Sequence, residues 1–215
     1  PTAFFDPDPE ISGDEAEALH RAVEVTLAST PVQALTLSGS SPCRATDSLY
    51  SDLIALANTR SIPVFLDTYG PALKSIWGFW PRVIQLNRRE AAGYLGKSPA
   101  ALTDADLFKL LEEWGRHGVK LGLVTSGGAA ALAMAGGVRY HVSPAPITVV
   151  NPIGSGDCLL AGLVDAWLEG RTIDAILRHG MACAAANAEV WDAGAIQPDR
   201  VRELAGQVQV VAIPK

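Results

Sequence analysis

Short apolar segments alternate along this chain with longer segments of helical periodicity. The segments 33–37, 62–66, 83–86 and 119–124 are each typical of a short buried strand. Strands that alternate with helices of about ten or more residues indicate an α/β fold, in which a mostly parallel sheet carries helices on both faces. A chain of 215 residues is long enough to bury its own core, so a single domain over residues 1–215 is predicted.

Capping residues locate the ends of several helices. Ser12 and Glu15 have the spacing of a capping box, which predicts a helix that continues to about residue 29. Thr103 and Thr172 are predicted to cap helices that end near residues 117 and 191, and Pro198 fits the first position of another. The other predicted elements are helices over residues 47–59 and 157–169, a short helix that carries Glu90, a hairpin of strands 130–135 and 138–142, and strands 147–150 and 207–213.

Composition and charge exclude several classes of function. The formal net charge is −6 and no run of Lys or Arg occurs, which argues against nucleic acid as the main partner. No apolar run reaches about 18 residues, so no membrane span is predicted. The three cysteines lack CxxC spacing and the four histidines lack an HExxH pattern, so neither a zinc site nor a disulfide framework is indicated. A reducing, cytoplasmic setting and a small-molecule partner are therefore predicted.

Polar and glycine residues follow the predicted strands. The carboxyl ends of parallel strands lie at one edge of the sheet, and ligands of open α/β sheets bind outside that edge. The sequence therefore predicts a ligand site there. Its candidate residues are Gly39, Asp67, Asn87, Ser126 and Gly154.

The most informative segment at this edge is Asn151-Pro-Ile-Gly-Ser-Gly-Asp157, which precedes a predicted helix. Glycines permit positive φ, and successive N–H groups at a helix start can hold an anion. A carboxylate at Asp157 would be stabilised by the helix dipole and could accept a proton from an attacking hydroxyl group. On spacing alone, a glycine turn before a helix that Asp157 merely caps explains the segment equally well.

Gly154-Ser-Gly-Asp157 followed by Cys-Leu-Leu-Ala-Gly162 resembles the second signature of the PfkB (ribokinase-like) carbohydrate kinases. The Asn-Pro lead-in is similar to the branch of 1-phosphofructokinase and tagatose-6-phosphate kinase. Other segments resemble that branch in the same order, so the likeness covers essentially the whole chain. These segments are Pro7-Asp-Pro-Glu-Ile-Ser12, Leu37-Ser-Gly-Ser40 with Pro42, Leu66-Asp-Thr-Tyr-Gly70, Asn87-Arg-Arg-Glu90, and the helix from Met181 to Glu189.

The resemblance implies a three-layer, Rossmann-like sandwich of the ribokinase type. It also implies transfer of the γ-phosphoryl group of ATP, with Mg²⁺, to a hydroxymethyl group of a phosphorylated ketohexose. Fructose 1-phosphate is the first expected substrate and tagatose 6-phosphate the second. The likeness begins after the family's first signature, so about a third of the usual length, with early strands and a β-stranded lid, has no counterpart here. Because that lid commonly makes the dimer contact, a homodimer is implied for a full-length protein.

Roles carried over by position fall into four groups. Asp157 would be the catalytic base, and the amides of Gly154, Ser155 and Gly156 would form the anion hole. Asn87 and Glu90 would help to hold Mg²⁺ and the phosphates, in part through water. Without the resemblance, a helix start with an acidic first turn is the favoured interpretation of Asn87 and Glu90. Asn187 would then be a polar residue on a helix flank, and the other positions would be turns and strand ends. The expected nucleotide contacts are Asn87, Thr125, Ser126, Gly127 and Asn187, and the expected substrate contacts are Gly39, Ser40 and Asp67.

The chain departs from the family pattern at three places. Gln85 stands where a lysine is usual, Cys43-Arg44 replaces Pro-Gly, and Ala130 replaces the second glycine of the nucleotide loop. Gln85 and Ala130 support a second hypothesis, a degenerate nucleotide-binding module without kinase activity, whereas the intact Asp157, Asn87 and Glu90 weigh against it. A third reading, an unrelated doubly wound dehydrogenase or P-loop protein, has little support because neither GxGxxG nor GxxxxGK[ST] occurs.

Overall fold

The computed structural model describes residues 7–213, and within them the chain forms one seven-stranded sheet flanked by helices. The strands are β1 (Leu35–Ser38), β2 (Val64–Asp67), β3 (Val83–Asn87), β4 (Leu121–Ser126), β5 (Ala129–Ala135), β6 (Val138–Ser143) and β7 (Gln209–Ile213). The α-helices are α1 (Gly13–Ser29), α2 (Leu49–Thr59), α3 (Gly70–Ser75), α4 (Arg88–Tyr94), α5 (Asp104–Arg116), α6 (Ser155–Leu168), α7 (Ile173–Ala188) and α8 (Pro198–Ala205).

The order of strands in the sheet is the order in the chain, from β1 to β7. Strands β1 to β4 pair in parallel, and β5, β6 and β7 continue the sheet by antiparallel pairing. The parallel register sets Ser38 beside Asp67, and Asp67 beside Gln85. Between β3 and β4, Asn87 is beside Thr125. The polar residues that end four consecutive strands therefore share one edge of the sheet, as the alternation of strands and helices predicts.

Two apolar cores lie on opposite faces of the sheet. Because successive side chains of a strand point to opposite faces, Leu66 packs in the core beneath α1 to α5, while Phe65 packs in the core beneath α6 to α8. The second core is closely packed where α6 meets α7. A Cβ added at Gly162 of α6 would lie 2.8 Å from Cys183 Sγ and 3.0 Å from Gly180 Cα of α7. The predicted three-layer α/β architecture is confirmed.

The predicted helix starts are confirmed by their caps. Ser12 and Thr103 both form capping boxes, with Glu15 and Asp106 respectively, and Thr172 accepts a bond from the Ala175 amide. The helix α3 is absent from the predicted pattern, and α7 ends at Ala188 rather than near residue 191. Among residues 7–213, no helix combines the length and apolar character that crossing a membrane requires.

The strand predicted over residues 147–150 does not form, and that prediction is wrong. The amides of Val150 and Asn151 instead donate to the Ala188 carbonyl, at 2.7 and 3.1 Å, so this segment runs against the end of α7. The neighbouring position beside β6 is taken by β7. Val149 and Val150 are 57% and 52% exposed, so their apolar character does not reflect burial in a sheet. A segment of four residues, three of them apolar, cannot by itself distinguish the two arrangements.

Candidate active site

The Asp157 carboxylate stands at the carboxyl edge of the sheet, in the first turn of α6. The N-cap of α6 is Gly154, which has a left-handed φ of 79°, and Asp157 is the third residue of the helix rather than its cap. Its Oδ1 atom accepts a 2.7 Å hydrogen bond from the Ser38 hydroxyl at the end of β1. The Asp157 side chain is thus hydrogen-bonded to the end of a strand. It does not cap α6, because Gly154 occupies the N-cap position.

The loop that precedes α6 is fixed by backbone geometry. The Ser155 amide donates to the Pro152 carbonyl at 3.2 Å, and the Cys158 amide donates to the Gly154 carbonyl at 2.9 Å. The amides of Gly156 and Asp157 lie in the first helical turn, where a helix offers its N–H groups no acceptor. A Cβ added at Gly156 would lie 3.3 Å from Asp67 Oδ2, so the loop passes close to the end of β2. Of the amides predicted for the anion hole, that of Ser155 is already bonded to Pro152. The Gly156 and Asp157 amides, together with the helix dipole, make this end of α6 suited to an anion.

Asp67 lies between the other acidic groups of the edge. Burial raises its pKa to about 7, and the negative charges of Glu90 and Asp157 add to the increase. The buried Gln85, with its amide nitrogen turned towards Asp67, donates to both carboxylate oxygens at 2.5 and 3.1 Å. The charges of Glu90 and Asp157 both act on Asp67, and the side chain that donates hydrogen bonds to Asp67 is a neutral amide.

Asn87 and Glu90 form a capping box at the start of α4. Asn87 Oδ1 accepts from the Glu90 amide at 3.0 Å, and Glu90 Oε2 accepts from the Asn87 amide at 2.8 Å. Burial raises the pKa of Glu90, while its bonds to Asn87 oppose the increase. Both residues line a cavity of about 470 Å³, and the cationic Lys74 and Arg89 line the same cavity. Asn87 and Glu90 therefore do cap a helix start, as one interpretation of the sequence expects. They also line a cavity large enough for a ligand.

The donors at this edge fit a magnesium ion. Mg²⁺ prefers oxygen ligands, keeps several waters, and usually takes only one or two carboxylates together with phosphate oxygens. Within the described part of the chain, no three His, Cys, Asp or Glu side chains form a compact metal-binding group. Asp67 and Glu90 instead offer separated carboxylates whose mutual repulsion a cation would relieve. Such a set suits an ion held largely through water.

Thr125, Ser126 and Gly127 reach the same edge at the end of β4. Thr125 pairs with Asn87 across the sheet, and its hydroxyl donates to the Leu86 carbonyl at 3.4 Å. Ser126 is partly exposed, and Gly127 takes a φ of 61° in the turn to β5. The structure therefore brings this loop beside the start of α4, and its contact with a nucleotide stays a prediction.

Asn187 is placed differently from the other predicted contacts. Its side chain in α7 is fully buried. Its Nδ2 donates to the Ile153 carbonyl at 2.8 Å and to Ser155 Oγ at 3.0 Å, and its Oδ1 accepts from the Gly194 amide at 2.7 Å. Asn187 thus supports the loop before α6 from behind. Its direct contact with a nucleotide stays a prediction.

Gly39 and Ser40 follow β1, on the side of the edge opposite to β4. The Gly39 amide donates to the Asp67 carbonyl at 3.0 Å, and its φ of 98° favours glycine. Ser40 lines a cavity of about 340 Å³ beside α1. The Tyr50 hydroxyl donates to the Ser38 carbonyl at 2.7 Å and so supports the same turn. Gly39 is thus bonded to the backbone of Asp67, and Ser40 lines the neighbouring cavity beside α1.

Two residues that contact the acidic groups are missing from the predicted site. Ser38 binds Asp157, and Gln85 binds Asp67. A signal exists for Ser38, because it is the last residue of a strand, as Asp67 is. For Gln85 the signal is a polar residue inside an otherwise apolar strand, which indicates a partner at the same level of the sheet.

The segment that follows α7 supports the loop before α6 from the solvent side. Asn151 Nδ2 donates to the Trp191 carbonyl at 2.8 Å, and a Cβ added at Gly154 would lie 3.0 Å from Ala193 Cβ. The Trp191 side chain itself is 76% exposed. A cavity of about 870 Å³ between α6, α7 and α8 is lined by Asp157, by apolar side chains and by Arg171, Arg178 and Arg202. Neither Asp67 nor Glu90 lines it.

Comparison with known proteins gives one family and a consistent set of structures. The family model described as pfkB family carbohydrate kinase matches residues 9–200. A protein described as a possible 1-phosphofructokinase from Thermotoga maritima superposes with a TM-score of 0.85 and 19% identity, over 99% of this chain and 67% of that one. Phosphofructokinase-2 from Escherichia coli, in complex with potassium, has a TM-score of 0.82 and 20% identity, over 94% and 65%.

A second structure of that Escherichia coli enzyme, described as its tetrameric inhibited form, has a TM-score of 0.77 and 20% identity, over 88% of this chain and 61% of that one. The chain thus spans about two thirds of the length of these structures. At such identity the similarity shows the fold.

Proposed function

The chain belongs to the pfkB family of carbohydrate kinases, whose model matches residues 9–200, and from this we propose that it carries the phosphoryl-transfer site of an ATP-dependent sugar-phosphate kinase. The proposal concerns the enzyme of which this chain forms a part, since the structures it matches are about half as long again. The observation that carries the proposal is Asp157, held by Ser38 beside the amides that begin α6.

The proposed reaction is an in-line displacement at the γ-phosphorus of ATP. The oxygen of a sugar hydroxymethyl group attacks phosphorus, the bond from phosphorus to the ADP oxygen breaks, and ADP leaves with the bonding electron pair. Asp157 accepts the hydroxyl proton, and the first-turn amides of α6 stabilise the charge on the transferring group. Ser38 keeps one oxygen of Asp157 bound, which leaves the other to face the hydroxyl group.

The nucleotide and its metal belong on the side of β3 and β4 in this proposal. Asn87 and Glu90 would hold Mg²⁺ through water, where the ion would supply charge neutralisation for the phosphates. Thr125, Ser126 and Gly127 contact the nucleotide, with Asn187 behind the loop. Lys74 and Arg89 supply further positive charge in the cavity beside Glu90.

The acceptor belongs on the side of β1 and β2, where Gly39, Ser40 and Asp67 are the proposed contacts. Fructose 1-phosphate is the first proposed acceptor and tagatose 6-phosphate the second. The names of the structural neighbours, which describe phosphofructokinases, support a phosphorylated ketohexose as the class. We further propose a cytoplasmic homodimer that binds neither nucleic acid nor membranes.

The deciding experiment measures ADP formation from Mg·ATP by the product of the complete gene. Fructose 1-phosphate, tagatose 6-phosphate, fructose 6-phosphate and unphosphorylated sugars are offered in turn. Asp157→Asn is compared with Asp165→Asn, a matched change two turns further along α6, where the carboxylate pairs with His179. Turnover on one sugar phosphate that falls at least ~10²-fold in Asp157→Asn alone supports the kinase.

The second hypothesis predicts a different result in the same assay. A degenerate binding module would bind nucleotide but release no ADP above background with any sugar. Gln85 is the observation that favours it, because an uncharged amide occupies the place where the family usually has a lysine. Equilibrium binding of Mg·ADP, measured on the same preparation, distinguishes this module from an inactive preparation.

A further inference from the structure

The orientation of the buried Asn187 side chain is fixed by its backbone partners. The Gly194 amide can only donate, so the atom it faces at 2.7 Å must be the oxygen of Asn187. The Ile153 carbonyl can only accept, so the atom 2.8 Å from it must be the nitrogen. The two assignments agree, and the amide is therefore placed without the ambiguity that usually attends asparagine.

This orientation determines what the Ser155 hydroxyl can do. The Asn187 nitrogen lies 3.0 Å from Ser155 Oγ and can act only as a hydrogen-bond donor. Ser155 Oγ is therefore the acceptor of this bond. The hydroxyl proton of Ser155 must consequently point elsewhere. Ser155 is the first residue of α6 and is partly exposed, next to the amides of Gly156 and Asp157.

We propose that Ser155 donates its hydroxyl proton to the transferring phosphoryl group, and that Asn187 is the positioning residue that directs it. The inference rests on the proposed function and adds a side-chain donor to the backbone amides of the anion hole. A donor that folding already holds in place stabilises the charge that develops in the transition state. Because the donor need not reorient during the reaction, it lowers the activation barrier effectively. Asn187 is suited to this task because its burial and its other bonds prevent it from rotating.

A purely structural role for the pair leads to different expectations. In that case Asn187 only satisfies the Ile153 carbonyl and the Gly194 amide, and the Ser155 hydroxyl only fills a place in the loop. Replacing Ser155 by alanine would then lower thermal stability at most and leave kcat unchanged. The kcat of a folded Ser155→Ala variant therefore distinguishes a donor to the phosphoryl group from a purely structural residue.

The test compares Ser155→Ala with Ser155→Thr, which keeps a hydroxyl group at the same position, and with Ser29→Ala on the surface of α1 as the control. Loss of one donor to a transition state costs roughly 10²-fold in rate, and an added donor beside several amides contributes less. We expect Ser155→Ala to lower kcat at least ~10-fold while KM for ATP and sugar changes less than ~3-fold, and Ser155→Thr to recover most of the loss.

Two further measurements connect the effect to Asn187 and to the transition state. In a double-mutant cycle with Asn187→Ala, the Ser155→Ala change should add little, because the hydroxyl has already lost its direction. Should Asn187→Ala not fold, the single variants still decide. Binding of Mg·ADP with aluminium fluoride, a mimic of the transferring group, should weaken at least ~10-fold in Ser155→Ala, while binding of Mg·ADP alone is kept.

The outcomes separate this inference from the function on which it rests. A wild-type enzyme that turns over together with a Ser155→Ala enzyme of unchanged kcat overturns the inference and leaves the kinase intact. Equal weakening of Mg·ADP and of the aluminium fluoride complex also overturns it, because the hydroxyl would then bind the ground state. A wild-type protein that releases no ADP with any sugar overturns both.

Discussion

Ser38 and Asp157 lie 119 residues apart in the sequence, and the hydroxyl group of the first donates to the carboxylate of the second over 2.7 Å. The bond joins the end of β1 to the first turn of α6. It fixes the direction of the proposed catalytic base before any substrate arrives, so part of the cost of ordering the site is met by folding.

Replacement of Ser38 by alanine should therefore slow the reaction without unfolding the protein. A hydrogen bond to a charged group is worth about 1.5–3 kcal/mol, so misdirection of Asp157 should lower kcat by ~10-fold or more. Steady-state kinetics at saturating ATP and sugar measure the effect, with Ser29→Ala as the control. An unchanged kcat would show that the bond does not orient the base.

Replacement of Glu90 by glutamine should weaken the response to Mg²⁺ while keeping the fold. Glutamine can fill the third position of a capping box as glutamate does, so the start of α4 should survive. The lost charge should raise the Mg²⁺ concentration for half-maximal activity by ~5-fold or more. Glu15→Gln makes the same change in the capping box of α1 and should leave this concentration unaltered. Equal responses in both variants would contradict a role for Glu90 near the metal.

Asp67 should make the stability of the protein fall as the pH rises. Its pKa is about 7 in the folded protein and 3.8 ordinarily, so between these values the folded state holds a proton that the unfolded state releases. The free energy of unfolding then declines from about pH 4 to about pH 7, by a few kcal/mol at most. Asp67→Asn cannot ionise and should be more stable than wild type at pH 8, with the advantage gone near pH 4.

Thermal unfolding at several pH values without Mg²⁺ checks this expectation. Asp52→Asn, on the exposed side of α2, provides the matched control. If Asp67→Asn is less stable than wild type at pH 8, then Gln85 stabilises the ionised carboxylate more than burial and repulsion disfavour it.

Glycine to alanine changes in two helices should have effects of opposite sign. At Gly162 the new methyl group would lie 2.8 Å from Cys183 Sγ and 3.0 Å from Gly180 Cα, so α6 and α7 must separate. Overpacking costs ~1–3 kcal/mol, which exceeds the gain of about 1 kcal/mol from helix propensity. At Gly115 in α5 the nearest atom is Met134 Cε at 3.9 Å, so the propensity gain should prevail. Denaturant unfolding measures both, and a stabilised Gly162→Ala protein would refute the close packing of α6 and α7.

Local patterns in the sequence account for much of the fold. The spacing of caps predicts the starts of α1, α5 and α7, because these bonds form within one helical turn. The strand predicted at residues 147–150 fails, because whether an apolar run joins a sheet depends on distant segments. Here the end of α7 takes its hydrogen bonds and β7 takes the place beside β6.

The candidate site shows the same division between local and distant information. Asn87 and Glu90 are one turn apart, and their pattern is compatible with both a helix cap and a metal contact. The structure shows the cap and adds the cavity that the pair faces. The bonds from Ser38 to Asp157 and from Asn187 to Ser155 join distant segments, so no local spacing predicts them.

Trp191 provides the protein with its own optical probe. Its indole ring is 76% exposed, and its backbone carbonyl is bound to Asn151 in the loop before α6. The emission wavelength of an exposed indole depends on its contact with water. Binding of a ligand at the loop before α6 should therefore change the emission of Trp191. The four other tryptophans, Trp77, Trp80, Trp114 and Trp167, lie outside this loop, so comparison with Trp191→Phe isolates the contribution of Trp191. Occupancy of the site is thus open to direct observation without any label, even in variants that have lost all turnover.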